Sequence, residues 1–232
     1  MPTTLDRPAA NTVTAPRAAN GNGRIARTPA PKPYTVDDWV AFEETKDRKH
    51  ELRNGVFIEM AGATYAHNAI TGDFYVELSL AIRGTGCDTL PSDQRVYIEY
   101  TNGVYPDIVV VCGEPEIGAA SALYNPFLVV EVLSPSTAAE DRGDKFKKYR
   151  SRPTLRHFIL VEQHRASVEH LERGASGIWS LVAEHDALDE TLTLTINGAT
   201  ATVPLAAIYR RVAFPVAVAE TEETPDATDA EP

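Results

Sequence analysis

At 232 residues, with 43% hydrophobic and 24% charged side chains, the chain has the make-up of an ordinary globular protein. A folded core of roughly 180 residues buries about 70% of the surface its unfolded chain exposes, ample for an enzyme. The net charge of −11 argues against a nucleic-acid binder held by global charge. No run reaches the 18 or so apolar residues of a membrane span, and the N-terminus lacks the hydrophobic block of a signal peptide. Cys87 and Cys112 lie far apart in the chain and do not suggest a disulfide, so the expected compartment is a reducing cytoplasm.

Residues 1–33 carry five bases against Asp6 and almost no large apolar side chains, whereas residues 220–232 carry six acids and no base. The ends, 1–33 and 215–232, therefore read as disordered tails around a single domain at 34–214. In "YTVDDWVAFEET", Thr35 is placed to cap a short amphipathic helix through Val36, Trp39, Val40 and Phe42. Asn54-Gly55 in "HELRNGVFIEM" marks a hairpin. Residues 65–83 carry Ala66, Ile70, Phe74, Leu78 and Ala81 at helical spacing, and Gly84 and Gly86 end that helix. Strands follow at 94–100, 104–112 and 127–133. Thr137 and Glu140 form a capping box for a further helix that runs to Ser151-Arg152-Pro153. "RHFILVE" is a strand, and the chain from 166 to about 209 alternates apolar and polar residues in the manner of hairpins. The core order is helix, three strands, helix, strand, an α/β (α+β) fold with an antiparallel C-terminal extension.

Two acids stand out because they interrupt apolar strands. In "FLVVEVL" alternation places Phe127, Val129, Glu131 and Leu133 on one face; in "YPDIVVVC" it places Tyr105, Asp107, Val109 and Val111 together. A carboxylate among apolar neighbours costs several kcal/mol unless a cation, a metal or hydrogen bonds compensate it. Neighbouring strands lie about 4.8 Å apart, so two such acids at matching height can share a divalent ion, and hard oxygen ligands with room for water suit Mg²⁺ or Mn²⁺. The helix that follows supplies positive charge: residues 141–156 hold seven bases against two acids. Asp141, Lys145 and Tyr149 recur every four residues along one side, which would let Lys145 look back at the strands. Ordinary alternatives stand beside each residue. Pro-Asp at a strand start is common turn chemistry, Glu131 alone fits a structural ion pair, and most helix bases fit a solvated face.

These motifs together resemble the PD-(D/E)XK nuclease superfamily, and more closely its Uma-type restriction endonuclease family. The resemblance rests on "HELRNG", His67 opening the next helix, "YPDIVVVC", "LVVEVLSPST", "DRGDKFKKY" and "HFILVE", and it spans about residues 34–172. It implies a restriction-endonuclease-like core in which Asp107 and Glu131 hold Mg²⁺ (or Mn²⁺), a backbone carbonyl near Val132 is a third ligand, and Lys145 stands in for the motif lysine. Glu51 and His67 match positions that look functional in the family, with Asp141 and Tyr149 supporting. Two departures are visible. Leu133 occupies the place of the in-line lysine, and Glu162 that of an Asp.

The expected function is Mg²⁺-dependent hydrolysis of phosphodiester bonds in DNA, with Arg142, Lys148 and Arg150 on the backbone of the nucleic acid. A homodimer is expected because cutting both strands benefits from two sites. Two other classes fit parts of the pattern: a non-catalytic binding module on the same fold, and a carboxylate-pair hydrolase such as a glycosidase.

Overall fold

The computed structural model describes residues 32–118, 121–134 and 138–214. Most of the expected N-terminal tail, the acidic C-terminal tail and the Thr137 cap lie outside the described residues. Among the described residues no helix is long and apolar enough to cross a membrane.

The chain opens with α1 (Val36–Glu43), started by Thr35, whose side chain accepts from the Asp38 N–H while Asp38 Oδ2 accepts from the Thr35 N–H. β1 (His50–Arg53) and β2 (Val56–Glu59) form the expected hairpin. Its turn residues Asn54 and Gly55 both have positive φ, the conformation that makes Asn-Gly the favoured pair. β1 also pairs with β5 (Asn102–Val104), which pairs with β4 (Val96–Glu99), giving a four-stranded sheet in the order β2-β1-β5-β4. A side chain at Gly103 would overlap the Trp39 ring, with a Cβ only 2.2 Å from Cζ3, so glycine there lets α1 close onto this sheet.

α2 (Tyr65–Ala81) leads into a six-stranded sheet, ordered β10-β9-β8-β7-β6-β3. Its strands are β3 (Cys87–Pro91), β6 (Ile108–Cys112), β7 (Leu128–Leu133), β8 (His157–Glu162), β9 (Val168–Arg173) and β10 (Trp179–His185). Only β7 and β8 run parallel, as a helical crossover between them requires. The crossover comprises α3 (Ala138–Glu140), a π turn over Asp141–Lys145, and α4 (Phe146–Tyr149). β11 (Thr191–Ile196) and β12 (Ala199–Pro204) form a separate hairpin, followed by α5 (Leu205–Ile208).

β7 is buried along its whole length because both faces of the large sheet are covered. On one face Leu128, Val130, Val132, Ile159 and Val161 pack with Ile70, Phe74 and Leu78 of α2 and with the β11–β12 hairpin. On the other, Val109, Val129, Leu133, Phe158 and Leu160 pack with Tyr149 and with Val96 and Ile98 of the small sheet.

Three details differ from the sequence expectations. The first strand of the large sheet is β3, a stretch whose polar composition hides it; residues 96–99 belong to the small sheet instead. The run 104–112 is two pieces, since Tyr105-Pro106 breaks pairing: Tyr105 packs with Trp39 and Leu52, not with Val109. Phe127 precedes β7 and packs toward the α2 side, opposite to Val129 and Glu131. The cysteines also differ. Antiparallel register sets Cys87 of β3 opposite Cys112 of β6, and the two are joined in a disulfide. The bond removes the cysteine-based reason for a reducing compartment.

Asp73 of α2, 1% exposed, fixes the end of the described chain: Arg210 Nε donates to its Oδ1 at 2.9 Å and Arg211 Nε to its Oδ2 at 2.8 Å. Burial alone would raise the Asp73 pKa, but the two guanidinium groups outweigh it and hold the carboxyl below its ordinary value. Asp73→Ala is expected to cost about 2 kcal/mol at pH 7. The folded-state pKa is depressed, so this contribution is present above the ordinary Asp range and fades as pH falls through the folded value. Urea denaturation should show the gap between wild type and variant closing in acid. A gap that persists unchanged at pH 3 would rule out the ion pair as its source.

Candidate active site

The end of β7 nearest α3 gathers the charged residues. β6 and β7 are antiparallel with Ile108 opposite Val130, so one step further along the same register sets Asp107 opposite Glu131. Asp107 Oδ2 accepts the Val132 N–H at 2.7 Å and lies 3.3 Å from His67 Nε2. Glu131 is 4% exposed, and its Oε1 accepts from Tyr149 O–H at 2.8 Å and from Lys145 Nζ at 2.8 Å. Lys145 Nζ is also 3.4 Å from Asp141 Oδ1 and 3.5 Å from Glu51 Oε1. One buried ammonium thus faces three buried carboxylates, with Asp107 and His67 beside them.

The local chain explains this convergence. The π turn spans Asp141 to Lys145, and both of these residues point inward, 3% and 7% exposed, while Arg142 and Gly143 between them do not. Glu51 arrives from the other sheet. Its Oε1 accepts the Tyr105 N–H at 3.1 Å and its Oε2 accepts from Arg53 Nε at 2.7 Å, while Arg53 reaches onward to Glu140 at the start of the crossover helix. Thr64, the N-cap of α2, accepts the His67 N–H and donates to Gln163 Oε1 at 2.7 Å; Gln163 in turn donates to the Leu133 carbonyl.

Electrostatics sort these groups. Burial pushes the Glu131 carboxyl well above its ordinary range. Lys145 pulls it back, but Asp141, Asp107 and Glu51 add to the rise. Burial also opposes charge on Lys145, yet Glu131, Glu51 and Asp141 overcome it and hold its pKa above the usual lysine value. Lys145 therefore keeps its proton and serves as a donor, not a base. Burial would raise Glu51, but Lys145 and Arg53 bring it below its ordinary value. Burial, then Glu131, lifts the Tyr149 hydroxyl well above its usual range, so it stays an O–H donor. Burial would lower the His67 pKa, and the bond and charge of Asp107, with the Val132 backbone adding to them, raise it overall.

The fit of these residues to a divalent cation follows from the donor pattern. Each of Asp107 and Glu131 has one oxygen pinned by protein donors, and among the described residues no hydrogen bond reaches the other oxygen. Four carboxylates against one ammonium, one imidazole and the Arg53 guanidinium leave the cluster short of positive charge, which adds to the burial that drives Glu131 upward. Two open carboxylate oxygens beside water-accessible space suit Mg²⁺, which keeps several of its waters. These residues line a cleft of about 910 Å³ that also includes Arg48, Lys49 and Arg53.

Asp107, Glu131, Lys145, Asp141, Tyr149, Glu51, His67 and Val132 all meet here. The three expected phosphate ligands do not. Arg142 is held by Glu162 at 2.8 Å and Glu169 at 2.6 Å, across β8 and β9. Arg150 stacks over the Phe146 ring, and neither it nor Lys148 lines the cleft. Besides Lys145, the bases that do line it are Arg48 and Lys49, which precede β1, and Arg53, which ends it. Arg53, Tyr105 and Gln163 are not among the site residues expected from the sequence. For Gln163 the signal was a polar residue directly after an apolar strand; for Arg53 it was a base two residues from Glu51, on the same side of a strand.

A mostly antiparallel sheet with an inserted helical crossover, and acids meeting at the crossover, defines a nuclease-like α+β fold. It superimposes on a crystal structure from Anabaena variabilis, described as a putative nuclease belonging to DUF820, with a TM-score of 0.61 at 13% identity, covering 77% of this chain and 98% of that one. Residues 36–205 match the family described as "Uma2: Putative restriction endonuclease", and the chain belongs to that family. Two uncharacterized proteins of Synechocystis are also similar: one is 33% identical over 193 residues, 82% of this chain and all of the relative. The other is 34% identical over 153 residues, 65% of this chain and 86% of the relative.

Proposed function

We propose that the chain is a metal-dependent endonuclease that hydrolyses phosphodiester bonds in DNA. The observation that carries this reading is Lys145 Nζ at 2.8 Å from Glu131 Oε1. It supports the assignment of the lysine role to the helix, where Leu133 leaves the strand position without an amine.

Asp107 and Glu131 would hold Mg²⁺ through their open oxygens, with the Val132 backbone beside them. The ion would supply Lewis-acid polarisation of the phosphate and a more acidic water. The chain's own residues do the rest. Lys145 donates to the attacking water or the scissile phosphate and offsets the charge that develops there. Tyr149 fixes the Glu131 carboxylate, His67 and the Val132 N–H fix that of Asp107, and Glu51 with Asp141 holds the Lys145 amine in place. Arg48 and Lys49 would meet the DNA backbone. Their present ion pairs with Glu59 and Asp93 are exposed at the surface and weak, so phosphates can replace these partners.

The expected result is nicking of supercoiled plasmid by the purified chain with Mg²⁺ or Mn²⁺, abolished by EDTA and restored by excess Mg²⁺. Absence of nicking with either ion at any concentration would favour a non-catalytic binding module. Hydrolysis that survives EDTA would favour an acid/base carboxylate pair.

A further inference from the structure

On the face of the large sheet opposite Glu131, β8 and β9 place His157, His170 and Glu172 side by side. Their register pairs His157 with Glu172 and Ile159 with His170. His157 Nδ1 and His170 Nε2 face each other at 3.0 Å, and both rings are 2% exposed. One ligand atom from each of the three residues lies within 4.8 Å of the others, the one such triad among the described residues. We propose that this triad is a second metal site, for a divalent transition ion of the Zn²⁺ type, separate from the carboxylate cluster.

Tautomer logic supports it. His157 Nε2 lies 3.1 Å from the Thr195 carbonyl of β11, an acceptor only, so the proton sits on Nε2 and the Nδ1 lone pair points at His170. A backbone carbonyl on the far nitrogen is the usual way a metal-binding imidazole is oriented. Without an ion, His170 Nε2–H donates to that lone pair. With one, His170 shifts its proton to Nδ1 and both nitrogens ligate, with no net loss of a proton. Tetrahedral coordination at 2.0–2.1 Å separates two nitrogens by about 3.4 Å, so the rings part by only a few tenths of an ångström.

Charge works in the same direction. Burial lowers the His157 pKa. Burial, with His157 and His185 nearby, brings His170 down to about 4, so protons do not compete for these nitrogens at neutral pH. Glu172, half-buried, supplies a carboxylate and the route from solvent, leaving a fourth position for water. Two imidazoles and one carboxylate favour Zn²⁺ or Co²⁺ over Mg²⁺. The ion would join β8 and β9 and, through Thr195, the β11–β12 hairpin.

The test uses the tag-free full chain, stripped with EDTA and titrated with Zn²⁺ against a chromophoric chelator and with Co²⁺ in visible absorption. Wild type should bind one equivalent of Zn²⁺ tightly and show the intense bands of low-coordinate Co²⁺. His170→Gln should weaken binding by about a hundredfold and Glu172→Gln by about tenfold. Glu172 is at the rim, so its variant decides the matter even if His170→Gln fails to fold. The Asp107→Asn/Glu131→Gln double variant should bind Zn²⁺ as wild type does. The proposal is overturned if wild type leaves all Zn²⁺ with the chelator, if Glu172→Gln binds like wild type, or if the double variant is the one that loses the ion.

Discussion

Glu131→Gln is expected to lower Mg²⁺-dependent plasmid cleavage by at least about a hundredfold, with little loss of stability. Glutamine has the shape of glutamate and keeps an oxygen for Tyr149 and Lys145, so packing survives while the negative charge goes. The charge it removes is one that burial and three neighbouring acids resist, and Lys145 retains Glu51 and Asp141 as partners. Thermal melting beside the nicking assay separates the two effects. A variant that cuts at the wild-type rate would remove Glu131 from the chemistry. A variant that unfolds would show that the carboxylate is there for stability.

Lys145→Met should fail in both respects. Three buried carboxylates lose their common cation, a loss of the kind that costs about 3–5 kcal/mol. Its pH dependence has a definite sign. The Glu131 pKa is already raised in the fold, and without the amine it rises further, so the folded state binds a proton that the unfolded chain releases. Stability then falls as pH rises from the ordinary carboxylate range through the folded value. Urea denaturation should find the variant closest to wild type near pH 5 and furthest from it near pH 8. Equal stability at pH 8 would mean that water, not the lysine, compensates these acids. Cleavage should fall by about 10²–10³-fold under the same conditions, because the ammonium that would offset the developing charge is gone.

The acids just before β6 and within β7 were legible because a charge beside or in an apolar run has few explanations, and the four-residue spacing of Asp141, Lys145 and Tyr149 led to the buried side of the crossover. The Asn54-Gly55 hairpin and the Thr35 cap were legible because short-range chemistry sets them. What stayed hidden depends on partners distant in sequence. The basic run after Glu131 suggests a phosphate surface, yet Arg142 is matched by Glu162 and Glu169, 20 and 27 residues later. β3 reads as a loop because it is an edge strand with one well-buried side chain, Cys87, and its pairing with β6 also decides the disulfide. Glu51 could be singled out only by resemblance. Its reason for being there, an ammonium contributed from 94 residues further on, has no local trace.

Glu51 comes from the small sheet and Lys145 from the crossover of the large one, with Arg53 clasping Glu140 between them. Neither half alone holds the compensated cluster: with the two apart, Glu51 would lack the Lys145 ammonium and Glu140 the Arg53 guanidinium, so the charge balance of the site is a property of the docked sheets.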